Sequence, residues 1–210
     1  RRQAIIDAGN WQDDTLTEDL DLSYRAQLAG WRFRFLPDLI CPAELPAEIN
    51  SFKGQQFRWA KGSMQTARKL LPRLWREPLS VRIKTQATLH LTNHAVYPLL
   101  LALALSTLPS LWILHQVPES KLFFRALTIL IIGSFGHPLM YGLAQAGSGR
   151  RWYRKASTAL MIVAGGMGIA LNNTKAIFEA LRGRTSPFLR TPKYRLESSR
   201  DHWHHKRYQV

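Results

Sequence analysis

Two short strings hold the side chains best suited to chemistry. Thr17-Glu18-Asp19 sets two adjacent carboxylates where a helix can begin, and a carboxylate within hydrogen-bond reach of a hydroxyl can take its proton. In Gln55-Gln56-Phe57-Arg58-Trp59, residues Gln55, Arg58 and Trp59 stand at i, i+3 and i+4, which gathers an amide, a guanidinium and an indole on one helical face. The guanidinium is a fixed positive fork suited to phosphate, and the indole is a flat surface on which a sugar ring can stack. Each string also has a plainer reading. Glu18 and Asp19 can be first-turn acids that complement a helix dipole, and Arg58 with Trp59 can anchor a helix at a membrane surface. Asp21, four residues before Arg25, reads as a helix-surface ion pair.

The elements that must position these groups follow from local patterning. Thr17 fits a helix N-cap whose hydroxyl takes an orphan amide, and Leu16, Leu20, Tyr24 and Leu28 recur at helical spacing until Gly30 stops the helix. Trp31-Arg32-Phe33-Arg34-Phe35 alternates apolar and basic residues, the pattern of a half-buried strand running into a turn at Pro37-Asp38. Pro42 and Pro46 bracket a loop containing Glu44, and Asn50 or Ser51 can cap the helix that carries the second string. The expectation is therefore an α/β beginning. Beyond residue 63, Met64, Ala67, Leu70, Leu71 and Leu74 line one face and Arg68, Lys69, Arg73 and Arg76 lie off it, as in a helix lying in the headgroup layer.

Charge separates the function classes. Lys and Arg total 29 against 14 Asp and Glu, a formal net charge of +15, compatible with a nucleic acid or with an anionic membrane surface. The positives cluster at 68–84, 150–155 and 182–207 and flank apolar stretches, a juxtamembrane distribution that argues against a separate nucleic-acid domain. Ala95 to Leu114 has no formal charge, and Phe123 to Ala144 has Arg125 only near its start, so both are long enough to span. Ala156 to Leu171 is short for a span, and the strongly positive segments on either side of it both belong on the cytoplasmic side. Two spans forming a hairpin, with the third stretch interfacial or re-entrant, satisfy that parity. The lone cysteine, Cys41, excludes an internal disulfide framework.

In this order, TED, then QxxRW, then an interfacial helix and membrane spans, the chain resembles the processive inverting family-two glycosyltransferases, a superfamily that includes cellulose, mannan, chitin and hyaluronan synthases. Phe188-Leu189-Arg190-Thr191-Pro192-Lys193 is similar to the FxVTxK gating loop of bacterial cellulose synthase, with Arg190 in place of Val. Glu44-Leu45-Pro46 and the doubled Gln55-Gln56 are closer to the mannan and glucomannan synthase-like members.

The resemblance implies that Asp19 is the general base, with Thr17 and Glu18 holding its turn. It implies that Arg58 meets the diphosphate, Trp59 stacks under the acceptor sugar, Gln55 hydrogen-bonds nearby, and Thr191 and Lys193 close over the nucleotide. The donor is then a nucleotide sugar and the acceptor a saccharide or growing β-linked polysaccharide. The partners are those substrates and the lipid bilayer, with no nucleic acid expected.

The expected organisation is an acceptor-side part of a GT-A-type catalytic domain at 1–62, an amphipathic interface helix at 63–84, and two transmembrane helices within 85–145. An interfacial or re-entrant helix at 150–183 and a basic cytoplasmic tail at 184–210 complete it. The whole is an α/β fragment followed by a mainly α-helical membrane region, with its catalytic side cytoplasmic at an inner or plasma membrane. A divalent metal, Mg or Mn, is implied by the family, but no Asp-x-Asp motif and no uridine-binding strand occur here, so its ligands and the donor half are expected upstream of Arg1. Without that half, the expectation is an inactive piece. Two other readings stay open: a non-processive membrane transferase acting on a lipid acceptor, and a non-catalytic basic membrane or nucleic-acid-binding module. The string Asp201-His202-Trp203-His204-His205 suggests a metal site or, more simply, a basic, His-rich run before a further span.

Overall fold

A computed structural model of the chain describes residues 1–36, 38–117, 121, 124, 136–147 and 164–194. The chain divides into two compact units, Arg1–Val96 with Asn172–Val210, and Tyr97–Leu171. The first holds α1 (Arg2–Asp7), α2 (Glu18–Leu28), α3 (Ile49–Arg76), α4 (Val81–Leu91) and a short 3-10 turn (Asn93–Ala95). The second holds nearly all of α5 (Val96–Gln116), together with α6 (Gly136–Gly147). A last helix, α7 (Ala170–Leu181), starts at the end of the second unit and belongs mostly to the first, where an extended segment, 184–194, follows it.

Helix α3 is the spine of the first unit, about 42 Å long at 1.5 Å per residue. Its buried stripe, Ala60, Met64, Ala67, Leu70 and Leu74, recurs at helical spacing, and each larger side chain so placed contributes about 1.5–3 kcal/mol. The stripe predicted from residue 64 onward therefore exists, with Leu71 only half-buried, on a helix that packs against α4 and is tied to α7 by hydrogen bonds from Arg68 to Ala180 O and from Lys61 to Glu179. Polar ties fix the register: Ser63 Oγ donates to Leu91 O at 2.8 Å, and Asn172 Nδ2 donates to Lys53 O at 3.1 Å. Helix α3 runs unbroken through residues 62 and 63, where the sequence changes character.

Helix α2 sits on a smaller cluster of Ala8, Leu22 and Ala26, with Ile5 and Trp31 packed against it. It ends as expected: Gly30 takes a φ of +90°, Gly30 N bonds Gln27 O and Trp31 N bonds Ala26 O, both at 3.0 Å. This pairing caps the last carbonyls of a helix and requires the left-handed residue that glycine supplies.

Three local expectations are corrected. Among the described residues there is no strand: 31–36 is extended but unpaired, with Phe35 87% exposed. Alternation can choose a face, but a strand also needs a neighbour for its ladder, and none lies beside it, so the α/β expectation is not met among the described residues. Asp21 and Arg25 do not form a surface pair. Asp21 is fully buried, its Oδ2 accepts from Arg25 Nε at 2.7 Å, and Arg25 Nη1 donates to Ala8 O. The buried face of α2 is thus Asp21, Leu22, Arg25 and Ala26, while the stripe of Leu20, Tyr24 and Leu28 is only partly covered. Finally, α3 starts at Ile49, before Asn50 and Ser51, and Ser51 Oγ donates to Glu48 Oε1 at 2.9 Å instead of capping the helix.

In the second unit, no residue of α5 is buried. Residues Asn93–Gln116, 24 in number and containing an 18-residue window with a mean hydropathy of 1.7, are long and apolar enough to cross a bilayer. Much of the second expected span, 123–144, lies outside the described residues, as do 156–163 of the third stretch and the whole His-containing string 201–205.

Candidate active site

The start of α2 meets α3 at a glycine. A Cβ on Gly62 would fall 2.6 Å from Thr17 Cγ2 and Oγ1 and 2.7 Å from the Thr17 backbone nitrogen, so only a residue without a side chain lets the two helices approach this closely. Thr17 is the N-cap by position, but its hydroxyl caps nothing; it lies 3.5 Å from Thr66 Oγ1, buried between the helices. The orphan amide of Leu20 is taken by Asp19 Oδ1 at 2.8 Å. Asp19 is exposed and Glu18 half-buried.

Three further ties hold this end of α2 and the loop before it. Leu16 N donates to Gln65 Oε1 at 3.0 Å. Lys69 Nζ reaches Asp14 Oδ1 at 2.8 Å and Gln12 Oε1 at 2.5 Å. It also lies 3.0 Å from Asp21 Oδ1, close enough for an ion pair though out of line for a directed hydrogen bond. The buried carboxylate of Asp21 therefore faces two cations, Arg25 and Lys69.

On the other string, Trp59 is 49% exposed, and Gln55 and Arg58 are half-buried. Arg58 reaches the extended segment: Nη1 donates to Leu189 O, Nη2 donates to Thr191 Oγ1 at 2.5 Å, and the guanidinium stands 5.3 Å over the Phe188 ring. Burial draws the Arg58 pKa below its ordinary value, and the negative charge of Glu18 pushes it back up. Glu18 of the first string and Arg58 of the second thus act on each other electrostatically, and Thr191 joins them. Lys193 is exposed and touches none of them by any hydrogen bond in the structure.

A cleft of about 420 Å³ opens beside α2, lined by Trp11, Asp13, Thr15, Glu18 and Phe188 among others. Thr15 is buried, and its hydroxyl makes no hydrogen bond among the described residues. Glu18 and Phe188 on this wall were singled out from the sequence, whereas Trp11, Asp13, Thr15 and Gly62 were not. A glycine inside a helix costs about 1 kcal/mol against alanine, so Gly62 in mid-helix was the available sign of a close approach. No three His, Cys, Asp or Glu side chains among the described residues gather into a set that could hold a divalent ion. The donors among the described residues do not fit the metal that the resemblance implies.

Residues 1–144 match the family described as glycosyl transferase family group 2. Over 71 residues, 34% of the chain, the sequence is 45% identical to probable glucomannan 4-beta-mannosyltransferase 10 of Arabidopsis thaliana and to probable glucomannan 4-beta-mannosyltransferase 9 of Oryza sativa subsp. japonica. The same extent and identity hold for glucomannan 4-beta-mannosyltransferase 2 of Arabidopsis thaliana. The matched stretch is 13%, 14% and 13% of the length of these three relatives. No solved structure matches the chain. With the match running through both strings and the whole of α3, the chain belongs to glycosyl transferase family group 2.

Proposed function

We propose that the chain is the acceptor-side part of a membrane-bound inverting hexosyltransferase, which extends a β-linked polysaccharide of the glucomannan type from a nucleotide-sugar donor. Asp19 takes the proton of the acceptor hydroxyl. The freed oxygen forms its bond to the anomeric carbon as the bond from that carbon to the diphosphate breaks, inverting the centre in one displacement. The departing nucleoside diphosphate keeps the electron pair, and the Arg58 guanidinium meets the charge that develops on it. Trp59 offers its exposed face to the acceptor sugar, Gln55 hydrogen-bonds beside it, and Thr191 and Lys193 close over the nucleotide. Donor recognition belongs to parts of the protein outside these residues. The apolar helix at 93–116 then serves the bilayer, with the catalytic side cytoplasmic.

One observation carries this reading: the close approach of Thr17 to Gly62. Gly62 lies one helical turn beyond Arg58 on α3, so the contact fixes the carboxylate-bearing start of α2 beside the face that carries Arg58. A base and a leaving-group cation must share one reacting centre, and two strings on unrelated surfaces could not serve it. The test is Asp19→Asn in the complete membrane protein, with polymer formation and donor binding measured separately. Polymer formation should vanish while donor binding persists; full polymer formation in the variant would refute the assignment.

A further inference from the structure

Lys61 is 0% exposed, the largest fully buried side chain among the described residues. Its ammonium donates to Glu179 Oε2 of α7 at 2.8 Å and to Ser186 Oγ at the head of the extended segment, and it lies 5.8 Å from the Phe57 ring centroid. A lysine buried this completely needs its partners, because removing them strands a charge away from water. The Glu179 carboxyl is held below its ordinary range, chiefly by the hydrogen bond from Lys61.

Ser186 opens the strap that reaches Arg58. Helix α7 ends at Leu181, a turn follows through Gly183, and the chain then runs without helix or strand through 184–194. Its holds on α3 are polar: Lys61 on Ser186, and Arg58 on Leu189 O and Thr191 Oγ1. Phe188 and Leu189 stay exposed at 58% and 70%, so apolar burial contributes little and the strap belongs to the easily opened part of the structure. Of these anchors only Lys61 is itself buried. Lys61 and Arg58 stand at i and i−3 on one face of α3, about 4.5 Å apart along the axis. Three residues of extended chain reach at most about 10 Å, so fixing Ser186 confines Leu189 to the neighbourhood of Arg58.

We propose that Lys61 is a positioning residue: through Ser186 it sets the strap on Arg58, so that the strap and the donor diphosphate compete for one guanidinium. The competition rests on the glycosyltransferase reading above, whereas the positioning does not. The test uses the complete membrane protein, first without donor. Backbone hydrogen exchange over 188–191 should speed up about tenfold in Ser186→Ala and in Lys61→Met, the loss expected for one hydrogen bond to a charged group. Lys61→Arg should restore part of the protection, and exchange within α3 should stay unchanged in Ser186→Ala. With nucleotide sugar added, Ser186→Ala should lower the donor KM severalfold, by more than it lowers kcat, because a loosened strap competes less well. Unchanged exchange over 188–191 in Ser186→Ala would overturn the positioning role, and a KM that rises would overturn the competition. Faster exchange in a protein that transfers no sugar even as wild type would support the positioning while refuting the transferase reading.

Discussion

Replacing Gly62 with alanine tests the contact on which the site depends, and the same helix supplies its control. The new Cβ would stand 2.6 Å from two Thr17 side-chain atoms and 2.7 Å from the Thr17 backbone nitrogen, where ordinary contact begins at 3.4 Å. A flexible side-chain end could swing aside, but a backbone nitrogen moves only with its helix. The start of α2 must therefore retreat by about 0.7 Å or α3 must bend, and such overpacking costs about 1–3 kcal/mol. Alanine returns about 1 kcal/mol of helix propensity, leaving a net destabilisation of about 0–2 kcal/mol. Gly54, also in α3, has nothing within 4 Å of its would-be Cβ, so Gly54→Ala should gain about 0.5–1 kcal/mol. The functional effect exceeds the effect on stability, since Glu18 and Asp19 travel with Thr17. A misplacement near 1 Å can cost about a hundredfold in rate, so Gly62→Ala should transfer sugar roughly ten- to a hundredfold more slowly than Gly54→Ala. The assay is transfer from labelled nucleotide sugar by the complete protein in nanodiscs, paired with its thermal midpoint. Equal midpoints and equal transfer rates in the two variants would refute the claim that Thr17 is seated against Gly62.

Two further outcomes follow from buried charge. Asp21→Asn leaves Arg25 and Lys69 facing each other without their shared carboxylate and should destabilise the protein by about 3–5 kcal/mol; Asp14→Asn, which removes a half-exposed partner of Lys69, should cost less than about 1 kcal/mol in the same denaturation series. Because Lys61 holds the Glu179 carboxyl below its ordinary value of 4.5, the folded state favours the ionised form. That stabilisation is complete well above pH 4.5 and is lost as the pH falls through the lower folded value. Glu179→Gln should flatten this acid limb of the midpoint-against-pH curve, and superimposable acid limbs in the two proteins would contradict it.

What could be read from the sequence was local, and what could not was a matter of partners. The stop at Gly30 was legible because one residue beyond a helix must adopt a left-handed turn, and the stripe of Met64, Ala67, Leu70 and Leu74 was legible because burial of one face repeats with the helical period. The meeting of Arg58 with Thr191 spans 133 residues; residue type and spacing nominated Arg58 and the gating-loop resemblance nominated Thr191, but no periodicity could join them. Asp21 and Arg25 looked like a surface pair because their i, i+4 spacing carries no information about depth, and depth came from Ala8 and from Lys69 on another helix. The strand predicted at 31–35 failed for the same kind of reason, since alternation specifies a face and says nothing of the neighbour that a ladder requires. Lys61 gave no sign at all, because a lysine in a helix is ordinarily a solvated side chain and only Glu179 and Ser186, far along the chain, make it a buried anchor.

Helix α3 therefore works as a ruler for the site. Between Arg58 and Lys69, a length of about 16 Å, it carries the anchors of the strap at Arg58 and Lys61, the seat of Thr17 at Gly62, the hold on Leu16 at Gln65, and the cation that pairs with Asp14 and Asp21. The start of α2 and the strap are each indexed to this helix, and Phe188 stands with Glu18 on the cleft wall without a hydrogen bond joining the strap to α2. Their anchors differ in kind. The α2 start is pinned by a close backbone approach, a buried ion pair and a small apolar cluster, whereas the strap is held by a few polar contacts with its apolar side chains exposed. Opening of the strap would therefore cost far less than any shift of α2. A site built this way can admit and release a nucleotide on the strap side while the proposed base keeps its distance from the turn of α3 that carries Arg58, because the start of α2 is seated on that helix and only the Arg58 guanidinium exchanges partners with the strap.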